Sequence, residues 1–239
     1  MGEFLIILCN KYEALCLVFC YTFSMKMTIG IDEVGRGPVT GPVTVGAMQV
    51  KGNRLQGIVK RTEKNLGIRL RDSKKLSRKQ RELWFVEIQK WKQEGLCDFA
   101  VVSITAKEID RTGISQAIKK CISVCLDKLV APPSHKATEG HSSRKLLDAI
   151  TILLDGGLKA PIQFKKQKTI IKGDEKEPVI ALASIVAKVT RDRYMLTQAK
   201  KYPAYGFETN VGYGTKKQYM AIRKYGLTPL HRKTYLKNL

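Results

Sequence analysis

The sequence is short of acid, short of histidine and without a long unbroken apolar run. Its 239 residues carry 21 Asp and Glu against 43 Lys and Arg, a formal net charge of +22. A deficit of acid on that scale favours a polyanionic partner, because basic groups that neutralise phosphates release condensed counterions. The competing explanation is a lysine-rich surface that serves only solubility. An anionic membrane fits less well, since it calls for a basic helix with an apolar face. The three histidines, His135, His141 and His231, have no ligand spacing. None of the six cysteines stands in a C-x-x-C pair, which argues against a zinc site. Cys16 and Cys20, like Cys121 and Cys125, are four apart and share a helix face. They read as buried free thiols of a reducing, cytoplasmic compartment.

Nothing reads as a membrane span or a secretion signal. The first 26 residues are apolar but broken by Lys11 and Glu13, and Glu3 stands where a signal peptide would be basic. A span needs about 20 apolar residues without charges. Met25 and Met27 stand just before the first strand, so residues 1–26 are expected to be an extension, from a mis-assigned start or disordered, with a short docking helix as the alternative. Charges within this segment cancel, and the whole surplus lies in residues 27–239.

What is present is an ordinary globular composition: 44% hydrophobic, with a mean hydropathy of −0.19. Strands are expected at 28–31, 43–50, 99–104, 149–154 and 169–171. Residues 51–70 are polar and read as a loop or hairpin. Ser77 is a candidate N-cap for a helix with Trp84, Ile88 and Trp91 at helical spacing. The set Ile114, Ala117, Ile118, Cys121, Ile122, Cys125, Leu126 and Leu129 makes a second helix with one buried stripe, ended by Pro132 and Pro133. A polar loop follows. Pro178 opens a long helix reaching about Lys200, and Thr215 with Gln218 has the spacing of a capping box for a last helix closed by Gly226. The class is α/β. The tail from Thr197 holds nine Lys and Arg against one acid, Glu208, interleaved with tyrosines that can meet sugars or bases.

Three apolar runs end in or beside a carboxylate: Asp32-Glu33, Asp155 and Asp174. Like ends of neighbouring strands converge, and four carboxylates brought together repel unless cations lie between them. Oxygen ligands without His or Cys select hard ions, Mg²⁺ or Mn²⁺. Two such ions suit in-line phosphodiester hydrolysis. With the charge surplus, this pattern favours a metal-dependent nuclease.

The segments IDEVGRGPVTGPV (31–43), DSKKLS (72–77), LLDGG (153–157), KGDEKEPVIALASIVAKVTRDRYM (172–195), YPAYGFETNVGYGTKKQY (202–219) and PLHRKTY (229–235) occur in this order. Together they resemble bacterial type 2 ribonuclease H, ribonuclease HII, over residues 27–239. The resemblance implies a ribonuclease H-like mixed sheet flanked by helices, with a catalytic domain at 27–200 and a small, basic, helical substrate-binding part at 201–239. It implies cleavage of the RNA strand of RNA/DNA hybrids and incision 5′ of ribonucleotides embedded in duplex DNA, the opening step of ribonucleotide excision repair, leaving 3′-OH and 5′-phosphate ends. Asp32, Glu33, Asp155 and Asp174 match the family's metal-binding catalytic carboxylates. Gly35, Arg36 and Gly37 match its ribonucleotide-reading segment, and Tyr213 its tyrosine at the neighbouring sugar. Lys74, Lys75, Ser184 and Lys188 resemble positions near substrate phosphates. Asp192 is expected to pair with Arg191 or Arg193 along its helix. Val34, Gly157 and a longer loop at 131–148 depart from the common pattern. The extension is too short for the added domain of type 3 enzymes. Neither a membrane nor an obligate protein partner is indicated. The remaining alternatives are a non-catalytic nucleic-acid binding protein and another two-metal nuclease of the same fold.

Overall fold

The computed structural model describes residues 26–130 and 147–237. Five strands form one mixed sheet: β1 (Met27–Val34), β2 (Val43–Lys51), β3 (Cys97–Ile104), β4 (Ile150–Asp155) and β5 (Gln167–Ile170). Their order across the sheet is β3-β2-β1-β4-β5. The first three pair antiparallel, and β4 and β5 add on parallel to β1. β1 is longer than the apolar run alone suggests. Asp32 and Glu33 lie inside the strand, opposite Gly46 and Val45 of β2. β5 ends one residue early, and Ile171 is 76% exposed.

The helices are α1 (Leu55–Leu66), α2 (Arg78–Gln93), α3 (Ala106–Thr112), α4 (Ile114–Val130), α5 (Gly173–Lys176), α6 (Pro178–Lys201), α7 (Phe207–Asn210) and α8 (Lys216–Tyr225). One sheet face is covered by the stripe of α4, where Ile118, Cys121, Ile122 and Leu126 pack with Ile29, Ile31, Ile152 and Leu154. The opposite face takes α6, backed by Trp84 and Ile88 of α2. α6 is buried on most sides, as a helix sandwiched between a sheet and a second helix must be. Two glycines of the sheet let its backbone lie this close. A Cβ at Gly30 would sit 2.5 Å from the Val179 carbonyl, and one at Gly46 would overlap the carbonyl oxygen of Ala183. A third cluster joins Val39, in the β1–β2 connection, to Met195 and Ala199 of α6 and to Tyr205, Phe207, Ile222 and Leu236. It ties the last forty residues to the end of the sheet where β1 leaves off.

Two local expectations are corrected. Residues 51–70 hold α1 rather than a loop or hairpin, with Val59 and Thr62 buried and Gly67 in the left-handed region ending it. Leu55, Ile58, Val59 and Leu66 carry the helical spacing that the surrounding Lys and Arg obscure. At α8, Thr215 caps Gln218 N–H at 3.2 Å, but the Gln218 side chain turns inward to Thr40 and His231, so only half of the box forms. Ser77 and Gln80, by contrast, make both bonds of a box at α2. Cys97, Cys121 and Cys125 are buried free thiols. Among the described residues, no helix is long and apolar enough to cross a membrane. The extension, Cys16, Cys20, His135, His141 and the prolines at 132–133 lie outside the described residues.

Candidate active site

β1, β4 and β5 are parallel, so their C-terminal ends share one edge of the sheet. Ile31 pairs with Leu154, and the next residue on each strand is an acid, Asp32 and Asp155. Asp155 Oδ1 accepts from Gly173 N–H at 2.6 Å, which brings α5 and Asp174 against β4. Asp32 is 5% exposed and Asp174 7%. Asp32 is pushed up to about 8, mainly by burial, with repulsion from Glu33, Asp155 and Asp174 added and a Ser184 hydrogen bond opposing. Glu33 is raised by burial and relieved by Arg36, 3.6 Å away. Asp174 rises to about 6, again chiefly through burial, with Asp72 and Asp155 next.

As these side chains are oriented, no three His, Cys, Asp or Glu among the described residues stand close enough to hold one ion. Three of the four acids have taken a partner at hand: the Glu33 N–H for Asp32, Arg36 for Glu33 and the Gly173 N–H for Asp155. The donor set still fits a hard divalent cation, being all oxygen and carried at the shared ends of neighbouring strands.

Lys74 stands among these acids. Burial alone would lower it, but Asp72, Asp174, Asp32 and Asp155 outweigh burial and hold its pKa up. Lys75 points elsewhere, paired with Glu175 at 2.8 Å. Ser184 is buried and shares a 2.7 Å hydrogen bond with Ser73 while lying against Asp32. Lys188, expected near a phosphate, is largely buried and bonded to Asp192 at 2.8 Å. Asp192 pairs with Lys188 and Arg81 rather than with Arg191 or Arg193. Arg193 goes to Glu82, and Arg191 turns to the β1–β2 connection.

That connection carries Gly35, Arg36 and Gly37. Gly35 has φ +88°, and Arg36 and Gly37 are exposed beyond it. Two buried arginines hold it from behind. Arg191 donates to the carbonyls of Pro42, Thr40 and Val211 at 2.9, 3.2 and 2.9 Å. Arg232 donates to those of Gly41, Arg36 and Gly35 at 3.0, 3.0 and 2.6 Å. Val211 is held at φ 42°, strained for a β-branched residue, just before Gly212 and Tyr213. Tyr213 is 45% exposed, and Thr40 N–H bonds to Gly212 O at 3.1 Å. Tyr213 and the Gly-Arg-Gly segment are thus linked through shared backbone bonds. The roles of Arg191, Arg232, Asp72, Gln218 and His231 around the site were not read from the sequence. For Arg191 a signal existed, since it falls between Ala187 and Met195 at four-residue spacing on a buried face.

A mixed sheet in this order, helices on both faces and carboxylates at the shared strand ends define a ribonuclease H-like hydrolase. The sequence matches the Ribonuclease HII family model over residues 29–238. Ribonuclease HII of Shouchella clausii is 41% identical over 207 residues, 86% of this chain and 67% of that protein. Ribonuclease HII of Rickettsia akari is 38% identical over 212 residues, 86% of this chain and 89% of that protein. Ribonuclease H2 of Pyrococcus horikoshii OT3 has a TM-score of 0.59 at 26% identity, covering 87% of this chain and 93% of that one. The ribonuclease HII solved with PCNA from Archaeoglobus fulgidus shares the fold at a TM-score of 0.62 and 24% identity, over 86% and 93% of the two chains. The chain belongs to the ribonuclease HII family. It is a ribonuclease H, a hydrolase of a family that is metal-dependent and acts on RNA/DNA hybrids.

Proposed function

We propose that the protein incises duplex DNA on the 5′ side of embedded ribonucleotides, as well as the RNA strand of hybrids, leaving 3′-OH and 5′-phosphate ends. The observation that carries this reading is the gathering of Asp32, Glu33, Asp155 and Asp174 at one end of three parallel strands, beside the Gly35–Gly37 segment. The four acids would hold two Mg²⁺ or Mn²⁺ ions, which activate the attacking water and stabilise the leaving oxygen. A ribonuclease HIII of the same fold has been solved with Mn²⁺. Lys74 balances the acids from within the site and stands ready for a phosphate. Glycines at 35 and 37 let the backbone approach a sugar, where the 2′-OH separates RNA from DNA. Tyr213 flanks that approach, and Arg36, exposed and paired only with Glu33 among the described residues, would leave that pair to reach a phosphate. Ser184 and Lys188 act by supporting Asp32 and Asp192 rather than by direct contact. Residues 27–200 carry the chemistry, and 201–239 supply a basic grip on the duplex. The buried free thiols suit a reducing cytoplasm.

The test is nicking of a duplex with one ribonucleotide, beside an all-DNA duplex, in Mg²⁺ or Mn²⁺. A single cut 5′ of the ribonucleotide and an intact DNA control are expected. Asp32→Asn and Asp155→Asn should abolish turnover while keeping or improving duplex binding without metal. Cleavage at the wild-type rate by either variant rejects the assignment. Cutting of the all-DNA duplex would point to a different nuclease of this fold.

A further inference from the structure

We infer that Arg232 is a positioning residue for ribonucleotide selectivity, aiming the N–H groups of Arg36 and Gly37 by holding the carbonyls of Gly35 and Arg36. This rests on the reading of Gly35–Gly37 as the sugar-facing segment. Arg232 has no exposed surface, yet makes no ion pair among the described residues. A buried guanidinium without a carboxylate partner is costly, and here its donors are satisfied by backbone carbonyls of the β1–β2 connection. Tyr235 completes the arrangement. Its hydroxyl donates to Arg36 O at 3.1 Å, and its ring lies 5.2 Å from the Arg232 guanidinium carbon.

The consequence follows from peptide geometry. In a trans peptide the C=O and the N–H of one plane point in opposite directions. No cis bond occurs among the described residues. With the oxygens of Gly35 and Arg36 drawn inward, the N–H groups of Arg36 and Gly37 face outward. Both residues are exposed, and neither N–H finds a partner among the described residues. The positive φ of Gly35 bends the chain into a shape in which successive N–H groups can serve one oxygen. Since both carbonyls are occupied, the segment meets its substrate as a hydrogen-bond donor, suited to the 2′ oxygen that DNA lacks. Arg232 comes from the opposite end of the chain, so its effect is on aim and not on contact.

The test measures binding without divalent metal, by fluorescence anisotropy, to an all-DNA duplex and to the same duplex with one ribonucleotide. The reading is the ratio of the two dissociation constants. Arg232→Lys keeps the charge but cannot match the guanidinium's three-way fork. It should reduce the ratio by about tenfold, in line with lost charge-assisted hydrogen bonds, while the all-DNA constant stays put. Tyr235→Phe removes one bond and keeps the ring, so a smaller fall with an unchanged melting temperature is expected. Added guanidinium should restore part of the ratio to Arg232→Ala. A folded Arg232→Lys or Tyr235→Phe with the wild-type ratio overturns the proposal, as does equal weakening on both duplexes. If Arg232→Lys does not fold, Tyr235→Phe decides on the same criteria. A wild-type protein that does not distinguish the duplexes instead sinks the ribonucleotide reading, whatever Arg232 does.

Discussion

At position 35 the backbone angle and the space around the residue are both fixed by neighbours. φ is +88°, and an added Cβ would overlap Arg191 Nε and lie 2.7 Å from the Pro42 carbonyl oxygen. An L side chain there carries strain of about 1–3 kcal/mol before any clash is counted. To make room it must also push Arg191 away from the carbonyls of Thr40, Pro42 and Val211. Gly35→Ala should therefore lower the melting temperature, by about 2–4 °C per kcal/mol for a chain of this size, and remove most activity. Gly37→Ala is the contrast, since nothing lies within 4 Å of its added Cβ and the fold should be untouched. Melting curves of the two variants check this, and equal melting points would contradict it. The same residue scale explains what could be read in advance. The four acids were legible because each closes an apolar run, where an unpaired carboxylate needs a reason. Arg191 and Arg232 were not, because among 43 Lys and Arg nothing in composition marks which guanidinium is buried. The pairing of Lys188 with Asp192 was hidden for the same cause, since nothing in a basic chain marks which lysine is buried against an acid.

Among the elements, α6 does most to place the site, and it depends on two residues of the sheet that have no side chain. Its backbone meets Gly30 and Gly46 directly, so Ser184 reaches Asp32 and Arg191 reaches the β1–β2 connection from one rigid helix. Gly46→Ala would force the Ala183 carbonyl and the Ala187 methyl aside. Overpacking of this kind costs about 1–3 kcal/mol. Denaturant unfolding should show that loss, with activity falling because Asp32 and Ser184 separate; full stability and full activity together would disprove the packing argument. The long helix was legible from Pro178 and its apolar content, whereas α1 was not, since its buried spacing is diluted by basic residues. The inward turn of Gln218 was also beyond sequence, because it answers to Thr40 in a distant segment. The other partner of Gln218, His231, sets a pH dependence. Nδ1 of His231 accepts from Thr228 N–H at 2.8 Å, so an imidazolium, whose added proton sits on Nδ1, loses that bond and sets two N–H groups against each other. Burial lowers its pKa below 6.5. A histidine depressed in the folded state contributes stability above its unfolded value and loses it as pH falls through that value. The melting temperature should thus drop from pH 7.5 to 5.5, and drop less in His231→Gln. An equal drop in both proteins would assign the effect to other groups.

For the whole molecule, the fold class followed from strands that come first and then alternate with helices, and the charge surplus told the class of partner but not its location. The structure shows that many basic groups are already occupied. Arg191 and Arg232 serve carbonyls, Arg81 and Lys188 share Asp192, Arg193 pairs with Glu82, and Arg111 and Lys120 share Glu108. Lys216 and Lys217 differ. They are exposed in the first turn of α8, three and four residues past Tyr213, and the helix dipole places further positive potential there. Lys119 and Lys128 are equally exposed but lie on α4, which covers the sheet face away from α6. If the polyanion lies along the side of the molecule that carries Tyr213, equal changes of net charge must act unequally. The logarithm of the duplex binding constant falls linearly with the logarithm of salt, by about 0.9 for each phosphate neutralised. Replacing Lys216 and Lys217 by Glu should flatten that line by about one to two phosphate equivalents. Replacing Lys119 and Lys128 by Glu should leave the slope as it was and shift the line only slightly, since charges farther than a Debye length of about 8 Å from the duplex are screened at physiological salt. Anisotropy titrations from low to moderate salt measure both slopes. Parallel lines for the two double variants would mean that net charge alone governs binding, and that no particular side of this molecule is the one that meets the duplex.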